Sequence, residues 1–278
     1  MTDNITFSSS MSDLSPANIF DLPRFVTTAS TQRIADLCTA LQQTRTLGLL
    51  IGLPGVGKTW AAQHVAQNQP RPKEITASPV LYTTVDVKNT ARALLSNLLD
   101  CLGPDYRAPV PDMTRLACCW IHRREVALII LDEADRLDKT SLEIIRDIHD
   151  RTRCAFLLIG QPDLSLKFRR NEQLINRISL TIEMPLLTFD ETIHFLLAWQ
   201  SIYVSRYGEN SHTADFVIEP DRSPEDFLIV KEIYRSTFGN LRRICQFIQE
   251  AQRIAGINGQ GWVELSVVKI TAKLLTGE

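Results

Sequence analysis

One stretch decides the fold of this chain: Gly52-Leu53-Pro54-Gly55-Val56-Gly57-Lys58-Thr59. A glycine, four residues and then Gly-Lys-Thr is the spacing of a phosphate-binding loop. The glycines let the backbone curl until successive N–H groups point at phosphate oxygens, and the positive end of the following helix adds to the attraction. The alternative is a chance glycine-rich turn. The apolar run 47–51 before the loop predicts a buried strand and residues 59–67 predict a helix, which favours phosphate binding.

The side chains of this loop have distinct predicted roles. Lys58 can reach the β- and γ-phosphates and so contribute to catalysis, and the Thr59 hydroxyl can ligate Mg²⁺. ATP and Mg²⁺ are therefore the predicted cofactors. The predicted nucleotide contacts are Gly52, Pro54, Gly55, Val56, Gly57, Lys58, Thr59 and Trp60.

A second motif, Leu128-Ile129-Ile130-Leu131-Asp132-Glu133, ends a predicted buried strand with two acids. A carboxylate there is costly unless it is paired or lies near a cation. Asp132 can hold Mg²⁺ beside the phosphate loop, and Glu133 can orient and deprotonate the attacking water. An ordinary acidic pair that caps the next helix is the alternative. The phosphate loop earlier in the chain favours the catalytic interpretation.

Gln161 follows the next apolar run, 154–159. In a parallel sheet the carboxyl ends of the strands face the nucleotide crevice. Gln161 is therefore a candidate to hydrogen-bond the γ-phosphate or its water. The alternative is a turn residue before Pro162.

Two arginines complete the candidate site. Arg242 lies at the start of a later helix, where it could bridge a second domain to the phosphates; a solvated basic pair with Arg243 is the alternative. Arg177, just before the fifth strand, is a candidate arginine finger that stabilises transition-state charge in a neighbouring subunit's site. Most arginines are solvated surface residues, which is the other interpretation of Arg177.

The fold class is predicted to be α/β. Short apolar strands alternate with helices as far as Met184, which indicates a parallel sheet covered on both sides. After Pro185 the pattern is helical only. The stretch Thr140-Ser141-Leu142-Glu143 predicts a capping box. The predicted domains are a flexible arm over 1–20, a nucleotide-binding core over 21–186 and a helical lid over 187–278.

The composition excludes several classes of protein. A formal net charge of −2, from 30 Lys+Arg and 32 Asp+Glu, gives no overall attraction to nucleic acid or membrane, so any DNA contact requires a local basic patch. No secretory signal is visible, and the apolar runs fall far short of the ~20 residues that span a bilayer. The six cysteines are scattered without a Cys-x-x-Cys pair, which indicates reduced thiols rather than a zinc site. We expect a cytoplasmic protein with no membrane partner.

These elements in this order resemble the AAA+ ATPases. The resemblance implies an AAA+ P-loop NTPase core followed by a helical lid, and it makes Phe25 and Val26 candidate adenine contacts. The segment 131–137, with Arg146-Asp147-Ile148 on the next helix and Asn171-Glu172-Gln173 before Arg177, resembles the TnsC, TniB and MuB group of transposition regulators. The length is similar to the compact TnsC proteins of CRISPR-associated transposons.

The resemblance also implies partners. A protein of this group assembles as a ring or filament on duplex DNA, marks a target site, connects to a TniQ-like targeting protein and recruits the transposase. It implies a bacterial, DNA-associated protein whose ATP hydrolysis disassembles the oligomer. Candidate DNA contacts are basic residues that also suit solvated helix faces: Arg115, Lys139, Lys88, Arg107, Arg146 and Arg151.

Three alternatives stay open. The stretch Gly160-Gln161-Pro162-Asp163-Leu164 is similar to one in ExeA-like ATPases of envelope assembly and secretion. A nucleotide-gated scaffold with little turnover is the second alternative. An initiator-like or clamp-loader-like ATPase is the third.

Overall fold

The fold is described from a computed structural model, which describes residues 26–68, 80–87, 90–103, 108–169, 172–198, 224–260 and 263–276. The predicted arm 1–20 and several candidate residues lie outside these ranges. Those candidates are Phe25, Lys88, Arg107 and Asn171.

Five parallel strands form one sheet, as predicted, in the order β2-β3-β4-β1-β5. The three central strands are almost entirely buried, because they consist of apolar residues and helices cover both of their faces. The strands are β1 (Leu47–Gly52), β2 (Val80–Thr84), β3 (Leu128–Asp132), β4 (Ala155–Gly160) and β5 (Ile178–Met184).

Helices follow the strands in alternation and then continue alone. Those in the sheet-bearing part are α1 (Ala29–Thr44), α2 (Lys58–Asn68), α3 (Ala91–Leu102), α4 (Val110–Arg123), α5 (Lys139–Thr152), α6 (Asp163–Arg169) and α7 (Glu172–Ile175), with a 3₁₀ turn at Ala134–Arg136. Those after β5 are α8 (Phe189–Ala198), α9 (Pro224–Thr237), α10 (Leu241–Ile257) and α11 (Leu265–Thr276).

Alternate residues of the central strands build two separate cores. Ile129 and Phe156 pack with α3, α4 and α5 on one face of the sheet. Ile130 and Leu157 pack with α1 and α2 on the other. The side chains divide in this way because successive residues of a strand point to opposite faces. The result is a helix–sheet–helix sandwich in which the carboxyl ends of the parallel strands lie side by side.

Two local predictions were wrong. Helix α5 begins after Asp138, whose carboxylate accepts a hydrogen bond from the Ser141 amide at 2.7 Å, so the predicted capping box at 140–143 is not the cap. The residue pattern over 80–87 also predicts a strand as far as Val87, but β2 ends at Thr84. Its partner β3 ends at Asp132, so the chain beyond Val85 has no strand to pair with, and Val87 is 82% exposed.

The described residues form two compact units. The larger contains the sheet and spans 27–188 together with 238–243. The smaller is helical, with a core of Ile229, Val230, Ile233, Phe247 and Val268. Phe189 packs edge-on against the rings of Phe227 and Tyr234 there. In the described ranges no helix is both long and apolar enough to cross a membrane.

Candidate nucleotide site

The glycine loop runs from the end of β1 into α2. Gly55 and Gly57 have φ values of +83° and +100°, which side chains rarely adopt. A Cβ at Gly55 would lie 2.6 Å from Asn240 Oδ1, and one at Gly57 would lie 2.7 Å from Leu241 Cδ2. Both positions therefore require glycine for conformation and for space, and the loop takes the tight curl that the spacing predicted.

Lys58 is the first residue of α2, and its side chain folds back over the loop. Its Nζ donates to the carbonyl oxygens of Gly52 at 2.7 Å and Leu53 at 2.9 Å. The ammonium group is thus held at the mouth of the loop, where it can exchange these carbonyl partners for phosphate oxygens.

The charges around Lys58 show which residues gather at this edge of the sheet. Burial lowers the pKa of Lys58 from its ordinary value, whereas Asp132, Glu133 and Asp135 raise it and Arg242 lowers it. The lysine predicted to bind phosphate therefore lies near three carboxylates from one segment. It also lies near Arg242, the arginine predicted to reach the phosphates.

Asp132 ends β3 with its side chain buried, at 3% exposure. Its Oδ1 accepts a hydrogen bond from the Glu133 amide at 2.8 Å, and its Oδ2 accepts one from the Tyr82 hydroxyl at 2.8 Å. Each carboxylate oxygen has two lone pairs, so each keeps capacity for a further ligand. The predicted metal-binding carboxylate is therefore buried and fixed in orientation.

Glu133 follows in the left-handed conformation, with φ of 57°. Its carboxylate forms an ion pair with Arg136 at 3.4 Å, and Arg136 also donates to the carbonyl oxygen of Val85 at 2.9 Å. Glu133 is only partly buried, so water can reach it. The predicted general base thus lies beside Asp132 and is held by a neighbouring arginine.

Gln161 follows β4, next to the strand that feeds the loop. Gly160 pairs with Ile51 of β1, which places Gln161 at the loop's edge of the sheet. Its backbone amide donates to Asp135 Oδ1 at 3.2 Å, and its side chain is exposed. Asp135 therefore connects the acidic segment to Gln161.

The start of α10 is bonded to the glycine loop within the sheet-bearing unit. Asn240 Nδ2 donates to the Pro54 carbonyl oxygen at 2.9 Å, and the Arg242 amide donates to the Gly55 carbonyl oxygen at 2.9 Å. Asn240 Oδ1 also accepts a hydrogen bond from the Arg243 amide at 3.2 Å, which caps the helix. These bonds bring Arg242 to the loop.

Arg177 lies at the amino ends of the strands, opposite the carboxyl ends where the glycine loop lies. It immediately precedes β5, and its carbonyl oxygen accepts from the amide of Leu47, the first residue of β1. The loop begins at the other end of β1, roughly 17 Å away at about 3.3 Å per residue. Arg177 Nε and Nη2 donate to the two carboxylate oxygens of Asp150 at 2.8 and 2.9 Å. It is therefore not assembled with the glycine loop of its own chain.

The remaining candidate residues lie at separate places in the structure and do not form one site. Thr59 and Trp60 are exposed at the start of α2, and Val26 is half-buried. Three of the basic candidates form local ion pairs: Arg115 with Asp112, Arg146 with Glu143 and Arg151 with Asp147. Lys139 is exposed at the first turn of α5.

Sequence reasoning missed Tyr82, Asp135, Arg136 and the contact between Asn240 and the loop. No local pattern marks a tyrosine on β2 as the partner of an acid at the end of β3, because strand order is decided by tertiary packing.

The donor set fits a nucleotide with Mg²⁺. Among the described residues no group of three or more His, Cys, Asp or Glu could hold a metal ion. Mg²⁺ at a phosphate site needs only one or two protein ligands, since phosphate and water supply the others. Thr59 and Asp132 suit that role, and the ammonium of Lys58 and the amides of the loop suit phosphate.

Comparison with known proteins agrees with this geometry. Residues 41–168 match the AAA domain family. A "Potential ATP-binding protein" of Staphylococcus aureus is 27% identical over 279 residues, covering 88% of this chain and 94% of that protein. The "ATP-dependent target DNA activator B" of Escherichia phage Mu is 29% identical over 146 residues, covering 52% of this chain and only 44% of the phage protein. The chain therefore spans less than half the length of the phage relative.

Solved structures share the fold. The ORC2 protein of Aeropyrum pernix superposes with a TM-score of 0.68 at 17% identity, covering 92% of this chain and 71% of that protein. Taken together, these matches show that the chain has the AAA+ P-loop NTPase fold. The sequence relatives also include the "Mu-like prophage FluMu DNA transposition protein B" of Haemophilus influenzae, which is 28% identical over 150 residues, covering 54% of this chain and 50% of that protein.

Proposed function

We propose that this protein is an ATP-hydrolysing regulator of DNA transposition that assembles on duplex DNA and recruits a transposase. The observation that carries the proposal is the coincidence of an AAA+ site with sequence similarity to the phage Mu target DNA activator. A TniQ-like targeting protein is a further proposed partner. A closer likeness to the compact TnsC proteins of CRISPR-associated transposons is part of this proposal.

The chain's own residues supply the chemistry. Lys58 and the loop amides hold the phosphates, while Thr59 and Asp132 hold the metal. Mg²⁺ supplies neutralisation of charge on the β- and γ-phosphate oxygens when bound. Glu133 accepts the proton of the attacking water. Gln161, at the same edge of the sheet, orients that water or the γ-phosphate.

The position of Arg177 supports the proposed self-assembly. An arginine at the amino edge of the sheet cannot reach the loop of its own chain, so a finger role requires a second copy. Two further arginines lie two residues before the adjacent strands, Arg45 before β1 and Arg153 before β4. Both are exposed. A cationic row on this edge suits a neighbouring subunit's bound triphosphate.

DNA binding is proposed to occur through backbone phosphates. Such contact is independent of sequence and weakens as salt increases. The candidates retained among the described residues are Lys139, in the first turn of α5, and Arg115, in the second turn of α4. Arg115 would have to exchange Asp112, at 3.3 Å, for phosphate.

The test is a DNA shift assay with purified protein and duplex DNA. We expect the DNA to shift with a non-hydrolysable ATP analogue and not without nucleotide. Equal binding in both conditions would contradict the proposal, and so would the absence of binding in both. Lys58→Ala is the matched variant, because it removes the phosphate ligand and leaves the basic candidates intact.

A nucleotide-gated scaffold with slow turnover is the second candidate function. The observation that favours it is the ion pair of Glu133 with Arg136, which engages the general base. The rate of ATP hydrolysis with and without DNA separates the two functions. Hydrolysis that stays negligible in both conditions supports the scaffold.

A further inference from the structure

The hydroxyl of Tyr82 lies between the helix that follows the glycine loop and the buried acid of β3. It donates to Asp132 Oδ2 at 2.8 Å and accepts from Gln63 Nε2 at 3.3 Å. Gln63 belongs to α2, which begins with Lys58 and Thr59. A chain of hydrogen bonds therefore connects the proposed phosphate-binding and metal-binding segments through one phenol.

The register of the sheet explains why this tyrosine reaches Asp132. Tyr82 pairs with Ile130, and Thr84 pairs with Asp132. Asp132 is thus the diagonal neighbour of Tyr82 on the adjacent strand, and such neighbours lie within reach of a long aromatic side chain. The ring packs against the buried cluster beneath α1 and α2, and this packing fixes the position of the hydroxyl group.

We propose that Tyr82 is a positioning residue that orients the Asp132 carboxylate for Mg²⁺, with Gln63 holding the phenol in place. This inference rests on the proposed ATP and Mg²⁺ chemistry. The Glu133 amide on Oδ1 and the Tyr82 hydroxyl on Oδ2 prevent the carboxylate from rotating. Each oxygen keeps a lone pair for the metal or its water. Groups that orient a metal ligand in this way change metal affinity without touching the metal.

The experiment is a Mg²⁺ titration of nucleotide binding, monitored with a fluorescent ADP analogue. Tyr82→Phe removes the hydroxyl and keeps the ring. Tyr234→Phe is the matched control, since its ring lies in the helical unit against Phe189. Each protein is titrated with Mg²⁺ and is also measured in EDTA, where metal binding contributes nothing.

We expect Tyr82→Phe to raise the half-saturating Mg²⁺ concentration by about 10- to 100-fold. Its affinity for the analogue in EDTA should equal that of the wild type, and Tyr234→Phe should match the wild type in both measurements. A Tyr82→Phe titration that coincides with the wild type overturns the inference. An equal loss of affinity with Mg²⁺ and in EDTA also overturns it, because that indicates a damaged site rather than a misoriented ligand. If the wild type itself fails to bind the analogue, the proposed function has failed, and the wild-type curve alone shows it.

Discussion

Asn240 donates its side-chain amide to the carbonyl oxygen of Pro54 at 2.9 Å, although 186 positions separate them in the sequence. The bond joins the start of α10 to the middle of the glycine loop. It works together with the Arg242 amide, which donates to the next carbonyl, that of Gly55. The loop conformation is therefore stabilised from outside its own segment.

Asn240→Ala should weaken nucleotide binding by loosening the loop. Loss of a hydrogen bond of this kind costs about 0.5–1.5 kcal/mol, which corresponds to roughly 2- to 13-fold in affinity. Calorimetry with ADP measures the effect. Asn258→Ala is the control, because Asn258 is an exposed asparagine in the turn after α10. Equal affinity of Asn240→Ala and wild type would show that the bond does not support the loop.

Gly55→Ala should abolish nucleotide binding. The added Cβ meets Asn240 Oδ1 at 2.6 Å, and φ at this residue is +83°. Gly256→Ala is the opposite control: a Cβ there meets nothing within 4 Å inside α10. Alanine in a helix is favoured over glycine by about 0.5–1 kcal/mol, so this variant should melt slightly higher. Thermal melting and ADP binding of both variants test the pair of predictions. Normal ADP binding by Gly55→Ala would contradict the assigned loop geometry.

Glu133→Gln should bind ATP normally and hydrolyse it about 10²- to 10⁴-fold more slowly, because the amide cannot accept the proton of water. The variant should also trap the ATP-bound assembly on DNA. Glu250→Gln is the control, since Glu250 pairs with Arg253 inside α10 in the helical unit. Phosphate release gives the rate. A normal rate for Glu133→Gln means that another group is the base.

Arg177→Ala should retain nucleotide affinity and lose hydrolysis by about 10³- to 10⁵-fold, the range for a finger supplied by a neighbour. A mixture of Arg177→Ala with Lys58→Ala should recover activity, because an intact Arg177 from one protein then meets an intact loop from the other. Arg151→Ala is the control for losing an exposed ion pair at the same edge of the sheet. No recovery in the mixture contradicts action between subunits.

The cysteines should divide into two reactivity classes. Burial raises the pKa of Cys38 and Cys154 to about 12 and that of Cys118 and Cys245 to about 11, whereas Cys101 and Cys119 are exposed. The thiolate is the reactive form, so a raised pKa slows labelling at a given pH. At pH 8 a thiol reagent should label Cys101 and Cys119 quickly and the other four thiols much more slowly. Fast labelling of all six would contradict the packing described.

Features that depend on neighbouring residues could be predicted from the sequence, whereas features that depend on tertiary packing could not. The glycine loop, the acids after β3 and the alternation of strands and helices were predictable, because each depends on neighbouring residues or on a short repeat. The start of α5 was not, since Asp138 competed with Thr140 for the same helix end. Strand β2 was predicted too long because its length depends on where β3 stops.

By itself, the sequence determined that this chain would curl a glycine turn onto a buried sheet and carry two acids at the end of a neighbouring strand. Local conformational preference and hydrophobic burial are sufficient for that. Only the tertiary structure decided that Tyr82 bonds Asp132, that Asn240 holds the loop and that Arg177 lies at the far edge with Asp150. These pairs join residues far apart in the chain, and they form only when packing of the two cores sets the order and register of the strands.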